Sequence, residues 1–257
     1  MSASRQLLTR LSSLAAAGVE WVPVGTPLVL PKWTAVPAAS GSASATASPE
    51  PVVPVPLNPL DERKIALDLL AKEVTGCSRC PELFSTRTQT VFGVGPLSPD
   101  VCFVGEAPGA DEDAQGEPFV GKAGQFLTRV ITGSGFKREE VYICNTLKCR
   151  PPGNATPTPK QCENCRPFFE RQIDLIRPKL ICCLGSVASK QLLQTTLGVT
   201  KLRGRKFEYR GIPVFCTYHP SYLIRQTGEG LQKAKAELWE DMKAILRELG
   251  RPIPGKG

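Results

Sequence analysis

Val101-Cys-Phe-Val-Gly-Glu-Ala-Pro-Gly109 is an apolar run that breaks into a loop dense in glycine and proline. Three further strand-like runs follow, from Val141 to Cys144, Leu180 to Leu184 and Ile212 to Thr217. Between and after them lie helix candidates at Gly124 to Ile131, Pro159 to Ile176, Ser186 to Leu193 and Leu231 to Leu249. Near-continuous apolar strands alternating with helices predict an α/β fold, three layers deep, with a central parallel four-stranded sheet covered on both faces. Function in such sheets gathers at the carboxyl ends of the strands, where Gly105-Glu106, Asn145 and His219 all fall.

Upstream of the first strand, Asp61 is the expected cap of a helix that carries Ile65, Leu69 and Leu70 toward Val74. Residues 58–257 form the expected catalytic domain. Residues 1–57 form an extension in which Leu7, Leu8, Leu11 and Leu14 recur at helical spacing, followed by an Ala/Ser/Pro-rich linker from Thr34 to Pro59 that is expected to be disordered. The extension holds three basic and two acidic residues, so about +7 of the formal +8 charge lies in the remaining chain. A basic domain favours phosphate-rich partners. The longest apolar runs are far short of a membrane span. Ten cysteines without a secretory signal indicate a reducing interior, and the chain reads as soluble and cytoplasmic, with clustered thiolates binding metal.

Cys77 and Cys80 form one C-x-x-C, and Cys162 and Cys165 another. All four would suit zinc, and spacing slightly favours that set. Cys149 in place of Cys162 would suit a cubane iron-sulfur cluster. Cys102, Cys144, Cys182, Cys183 and Cys216 lie in strand-like runs and read as small core residues. Gly116 to Lys122 matches a phosphate-binding loop, but Ala123 stands where that loop needs a hydroxyl and Pro118 removes an amide, so nucleotide hydrolysis is excluded.

Val-Gly-Glu-Ala-Pro-Gly at 104–109, Gly-Glu-Pro-Phe-Val-Gly-Lys-Ala-Gly at 116–124, Lys-Cys-Arg-Pro-Pro-Gly-Asn at 148–154, Cys-Arg-Pro-Phe at 165–168 and Thr-Tyr-His-Pro-Ser at 217–221 occur in that order. From about Leu67 to Leu246 the chain resembles the family 4 iron-sulfur uracil-DNA glycosylases. The resemblance implies a 4Fe-4S cluster on Cys77, Cys80, Cys149 and Cys165, structural in role, with Cys162 a spare thiol beside it. It implies hydrolysis of the N-glycosidic bond of uracil after the nucleotide is everted from DNA, duplex or single-stranded, by a monomer without lyase action.

By the same resemblance Phe119 stacks on the base, Asn145 reads the uracil edge, and His219 hydrogen-bonds O2 as the anion develops. Ala107 stands where related enzymes carry a water-activating Asp. Glu106 is then expected to orient water or stabilise the sugar cation, with Glu112 second. Leu223 is the expected wedge into the duplex and Ser221 a phosphate contact, joined by Lys122, Arg150, Arg203 and Arg205. Two other classes compete: a glycosylase of broader base choice, which would lack the amide at 145, and a non-catalytic nucleic-acid-binding module. The partner of the extension is unidentified; no clear clamp-binding motif occurs in it.

Overall fold

A computed structural model describes residues 58–255, which belong to one compact unit. The leucine-spaced segment at 7–14 and the linker lie outside the described residues. Helix α1, Pro59–Thr75, starts because Asn58 Oδ1 accepts from the backbone N–H of Leu60 (2.8 Å) and Asp61 (3.1 Å), with Pro59 in the first turn where its missing N–H costs nothing. Asp61 is therefore a first-turn acid and not the cap. Leu67, Leu70 and Val74 face inward, whereas Ile65 and Leu69 stay exposed. A short helix α2, Pro81–Thr86, follows.

The remaining elements alternate. They are β1 Val101–Gly105, α3 Ala110–Gln115, α4 Lys122–Gly133, β2 Tyr142–Asn145, α5 Pro159–Ile176, β3 Leu180–Leu184, α6 Gly185–Leu193, α7 Val199–Leu202, β4 Phe207–Tyr209, β5 Ile212–Thr217, α8 Pro220–Arg225 and α9 Gly228–Glu248. The sheet order is β2-β1-β3-β5-β4. The four expected strands are all present and mutually parallel, and β1, β2 and β3 are buried along their whole length. That burial explains why they read as unbroken apolar runs. The five strand cysteines are core residues, each 1% exposed or less.

One strand was not expected. β4 pairs antiparallel with β5 through a two-residue turn at Arg210-Gly211, both at positive φ (51° and 78°). Such turns are usually announced by Asn-Gly or Asp-Gly, and Arg-Gly gives a weaker signal. Only three residues long and half-exposed, β4 closes one edge of the sheet. At the other edge Val94 forms an antiparallel bridge to Ile143.

α1 is bound to α5 by more than apolar contact. Arg63 donates to the carbonyls of Leu175 (2.6 and 2.9 Å) and Ile176 (2.8 Å), which end α5 without helical partners. The centre of the core is Phe103, fully buried in β1 between both helical layers. Truncating it leaves a cavity that close-packed neighbours cannot refill. Phe103→Ala is expected to lower unfolding free energy by about 3–5 kcal/mol, measured by urea titration followed by circular dichroism.

Candidate active site

β1, β2 and β5 end at one edge of the sheet, and the segments that leave them enclose a cavity of about 490 Å³. Glu106, Ala107, Glu112, Phe119, Asn145, His219 and Ser221 line it. Its size suits a nucleotide-sized ligand. Gly105 lies beneath two of the lining side chains: a Cβ there would come within 2.6 Å of Phe119 Cζ and would collide with Asn145 Oδ1. Gly185, at φ +88°, leaves β3 in a conformation that side chains rarely adopt, and a Cβ would stand 2.8 Å from His219 Cβ. Two missing side chains make the room that three functional ones occupy.

The two glycine-rich loops are joined by Glu112. Its Oε1 accepts from Val120 N and Gly121 N (both 3.0 Å), and its Oε2 from Gly109 N (3.1 Å). Both carboxylate oxygens are thereby committed to backbone. Glu112 lines the cavity, and the same carboxylate braces the two loops. The same bonds occupy the Val120 and Gly121 amides, which a phosphate-binding loop would keep free for its ligand.

Phe119 lies between the braced loops at φ 55°, a conformation rare for an aromatic residue. Arg138 holds it there, donating from Nη2 to the carbonyls of Pro118 (2.7 Å) and Phe119 (3.0 Å). The Phe119 ring sits 5.7 Å from the His219 ring, inclined by 37°. Asn145 ends β2 opposite Gly105, one residue beyond the expected strand. It is 2% exposed, and its Oδ1 is buried without a hydrogen-bond partner. An orphaned acceptor in a folded core costs about 1–3 kcal/mol, so a ligand donor is the natural complement.

His219 caps α8, and Nδ1 accepts from Ser221 N (3.2 Å) with Ser221 Oγ at 2.8 Å. A backbone N–H can only donate, so Nδ1 is the acceptor and the ring proton resides on Nε2. Burial, with help from Arg225, pushes the imidazole down to about 4, so it is neutral at pH 7. Glu106 is half-buried, and burial raises its carboxyl above the ordinary range. No protein group hydrogen-bonds that carboxylate among the described residues.

The expected DNA contacts divide. Lys122 and Arg205 are exposed, and Arg150 donates to Asn154 Oδ1 (2.7 Å) at the cavity rim. Arg203 is corrected: it pairs with Asp241 (3.1 Å) and Glu237 (3.6 Å), lies over the Tyr218 ring (4.9 Å) and is mostly buried within the fold. It braces the segment before His219. Ser221 is bound first to His219. Leu223 is also corrected, being 0% exposed in the main core. The turn of α8 aims Pro220 and Leu223 inward and leaves Tyr222 (38%) and Ile224 (43%) outside. Asn154, Thr156, Ser186 and Arg225 also line the cavity and were missed. Ser186 could have been found, because it follows the carboxyl end of β3.

Cys77, Cys80, Cys149 and Cys165 surround a second, apolar cavity together with Leu83 and Leu147. Cys162 instead borders a different one, beside Thr146 and Tyr209. Cys162 nonetheless packs with Leu83, Leu147 and Cys149, with Cys80 and Cys165 against them. Arg87 Nη1 donates to Cys149 Sγ (3.0 Å) and Asn164 Nδ2 to Cys80 Sγ (3.5 Å), contacts that favour thiolate sulfur. Among the described residues no three His, Cys, Asp or Glu side chains are gathered closely enough for a single metal ion. Four soft donors spread around a void fit a group larger than one ion.

A family model described as the uracil DNA glycosylase superfamily matches residues 92–243, which contain every element of the sheet. The type-4 uracil-DNA glycosylase of Thermotoga maritima is 40% identical over 73% of this chain and 98% of its own length. That of Archaeoglobus fulgidus is 38% identical over 74% and 96%. A type-5 enzyme of Pyrobaculum aerophilum is 28% identical over 66% and 89%. The chain belongs to the uracil-DNA glycosylase superfamily and, within it, to the type-4 enzymes.

The lowered His219 pKa has a definite sign. The unfolded imidazole titrates near 6.5 and the folded one near 4, so the stability this group contributes is lost as pH falls through that window. Nitrogen-15 NMR of the labelled chain is expected to show His219 protonated only on Nε2 from pH 6 to 8, with no titration near 6.5.

Proposed function

We infer that this chain removes uracil from DNA by hydrolysing the N-glycosidic bond and leaves an abasic site. The observation that carries the reading is the unpartnered Asn145 Oδ1, enclosed in one cavity with a neutral Nε2–H imidazole and an aromatic ring. The target base is inaccessible within the stack and must be everted. Inside the cavity, Phe119 stacks on the pyrimidine. Asn145 Oδ1 accepts from N3–H, and its Nδ2 donates to O4. Cytosine presents the reverse pattern at both atoms, which leaves like groups facing each other and rejects it.

Bond cleavage places negative charge on uracil O2 and positive charge on the sugar. His219 Nε2–H stabilises the first without giving up its proton, since a neutral imidazole is a weak acid. Glu106 addresses the second, either by orienting water toward C1′ or by its charge. Ala107 offers no carboxylate, so Glu106 has this role alone. Its raised pKa means that the base form, and with it activity, is lost as pH falls through a value above 4.5. Among the described residues no lysine lines the cavity, in keeping with a monofunctional enzyme.

Tyr222 and Ile224 replace Leu223 as the side chains that fill the gap left by the everted base. Lys122, Arg150 and Arg205 neutralise flanking phosphates. Cys77, Cys80, Cys149 and Cys165 would hold a 4Fe-4S cluster, which would supply a structural cross-link between the segment joining α1 to α2, the segment after β2 and α5. The enzyme acts as a monomer on duplex and single strands in the cytoplasm. The described residues include no helix long and apolar enough to cross a membrane.

Purified protein is expected to release uracil from duplexes with uracil opposite guanine or adenine and to leave cytosine intact. His219→Ala should lower kcat by about 10²–10³. Equal wild-type action on cytosine and uracil would remove the role given to Asn145. Glu106→Gln should abolish the acid limb of the pH profile of kcat/KM, a limb that Ser221→Ala keeps. For the cysteines, visible absorption should vanish in Cys149→Ala and persist in Cys162→Ala.

A further inference from the structure

Lys148 is 1% exposed, and no carboxylate pairs with it among the described residues. Its three ammonium protons have three acceptors on three elements: the Phe92 carbonyl (3.0 Å), the Asn145 carbonyl (2.8 Å) and Gln172 Oε1 (2.5 Å). The Phe92 and Phe169 rings stand 5.6 and 5.7 Å from Nζ. Gln172, 0% exposed in α5, is itself held by donating to Phe92 O (2.9 Å) and Tyr142 Oη (3.0 Å). The three acceptors of this buried ammonium are neutral, and together they keep it fully hydrogen-bonded.

What that arrangement holds is the end of the sheet's edge strand. Thr146 N donates to Gly105 O (2.9 Å) and Leu147 N to Glu106 O (3.0 Å), zipping the segment after Asn145 onto β1. The carbonyl of Asn145 is left to Lys148. Without that donor the carbonyl is buried and orphaned, and the end of β2 loses its tie to the Phe92 segment and to Gln172 of α5. A shift of that strand end moves the Cα of Asn145, and the side chain with it. We propose that Lys148 is a positioning residue that orients the Asn145 carboxamide, and that it thereby sets recognition of the uracil edge.

The proposal rests on Asn145 being the uracil reader. Lys148 does not line the cavity, so it acts only through its neighbour. Its removal should weaken complexes in which Asn145 meets a base and spare those in which it does not.

The test compares binding of full-length, cluster-loaded protein to two duplexes. One carries 2′-fluoro-deoxyuridine, whose fluorine resists cleavage, and the other a tetrahydrofuran abasic analogue with no base. Lys148→Met is expected to weaken the first about 10- to 100-fold and leave the second unchanged, with visible absorption as in wild type. In an Asn145→Ala background, Lys148→Met should cost nothing more. Equal losses on both duplexes, no loss on either, or losses that multiply in the double variant would overturn the proposal. If Lys148→Met does not fold, Gln172→Leu decides. It removes one acceptor and should show a smaller loss of the same selectivity, and wild-type behaviour on both duplexes would refute the role. Wild-type protein that fails to release uracil sinks the parent reading. Wild-type release with additive variants sinks this one alone.

Discussion

The pairing of Gly105 with Asn145, where β1 and β2 end side by side, is the constraint from which the site follows. A side chain on Gly105 would collide with both the carboxamide and the Phe119 ring, so the absence of one atom lets these two groups take their places. The parallel register then delivers Asn145 to a fixed height above the sheet. Everything else serves that geometry. Glu112 joins the loops that carry Phe119, Arg138 holds Phe119 at positive φ, and Arg203 with Asp241 supports the strand end that carries His219.

Desolvation sets the chemistry of the groups so placed. The same burial that keeps His219 neutral raises the Glu106 carboxyl and leaves Asn145 Oδ1 without a protein partner. Each of these costs folding free energy, because a polar group has lost solvent without full replacement. The core offsets the cost with continuous apolar strands packed between helices. A site poised in this way gains electrostatic strength when a substrate arrives, since little reorganisation remains to be done.

The cysteine-lined cavity lies in a different kind of neighbourhood. Leu83, Leu147 and the thiols form a small apolar cluster apart from the main core, and Leu70, Val74 and Phe168 form another beside it. These clusters join segments too short to bury much area alone. The segment from Asn145 to Cys149 runs from one cavity to the other, so the placement of the carboxamide and of the Cys149 thiol is a single structural problem. Lys148 stands between them.

Much was legible along the chain. Four buried strands announce themselves because both faces of a parallel strand are apolar, and the cluster cysteines and motif loops stand out because their chemistry tolerates few substitutes. Spacing alone could not choose between Cys149 and Cys162, and packing sets Cys149 and Cys165 against one void and Cys162 against another while keeping all of them in one small cluster. Nor could it show that Leu223 points inward while Tyr222 and Ile224 point out, a matter of rotation about a six-residue helix. Arg203 and Glu112 look like free charges in sequence and are bound by partners far along the chain or on the next loop. Composition and periodicity therefore determined the layers, the strands and the set of reactive side chains. Only the tertiary structure decided which of them remain unpartnered, because hydrogen bonds and burial between distant segments are settled when those segments meet.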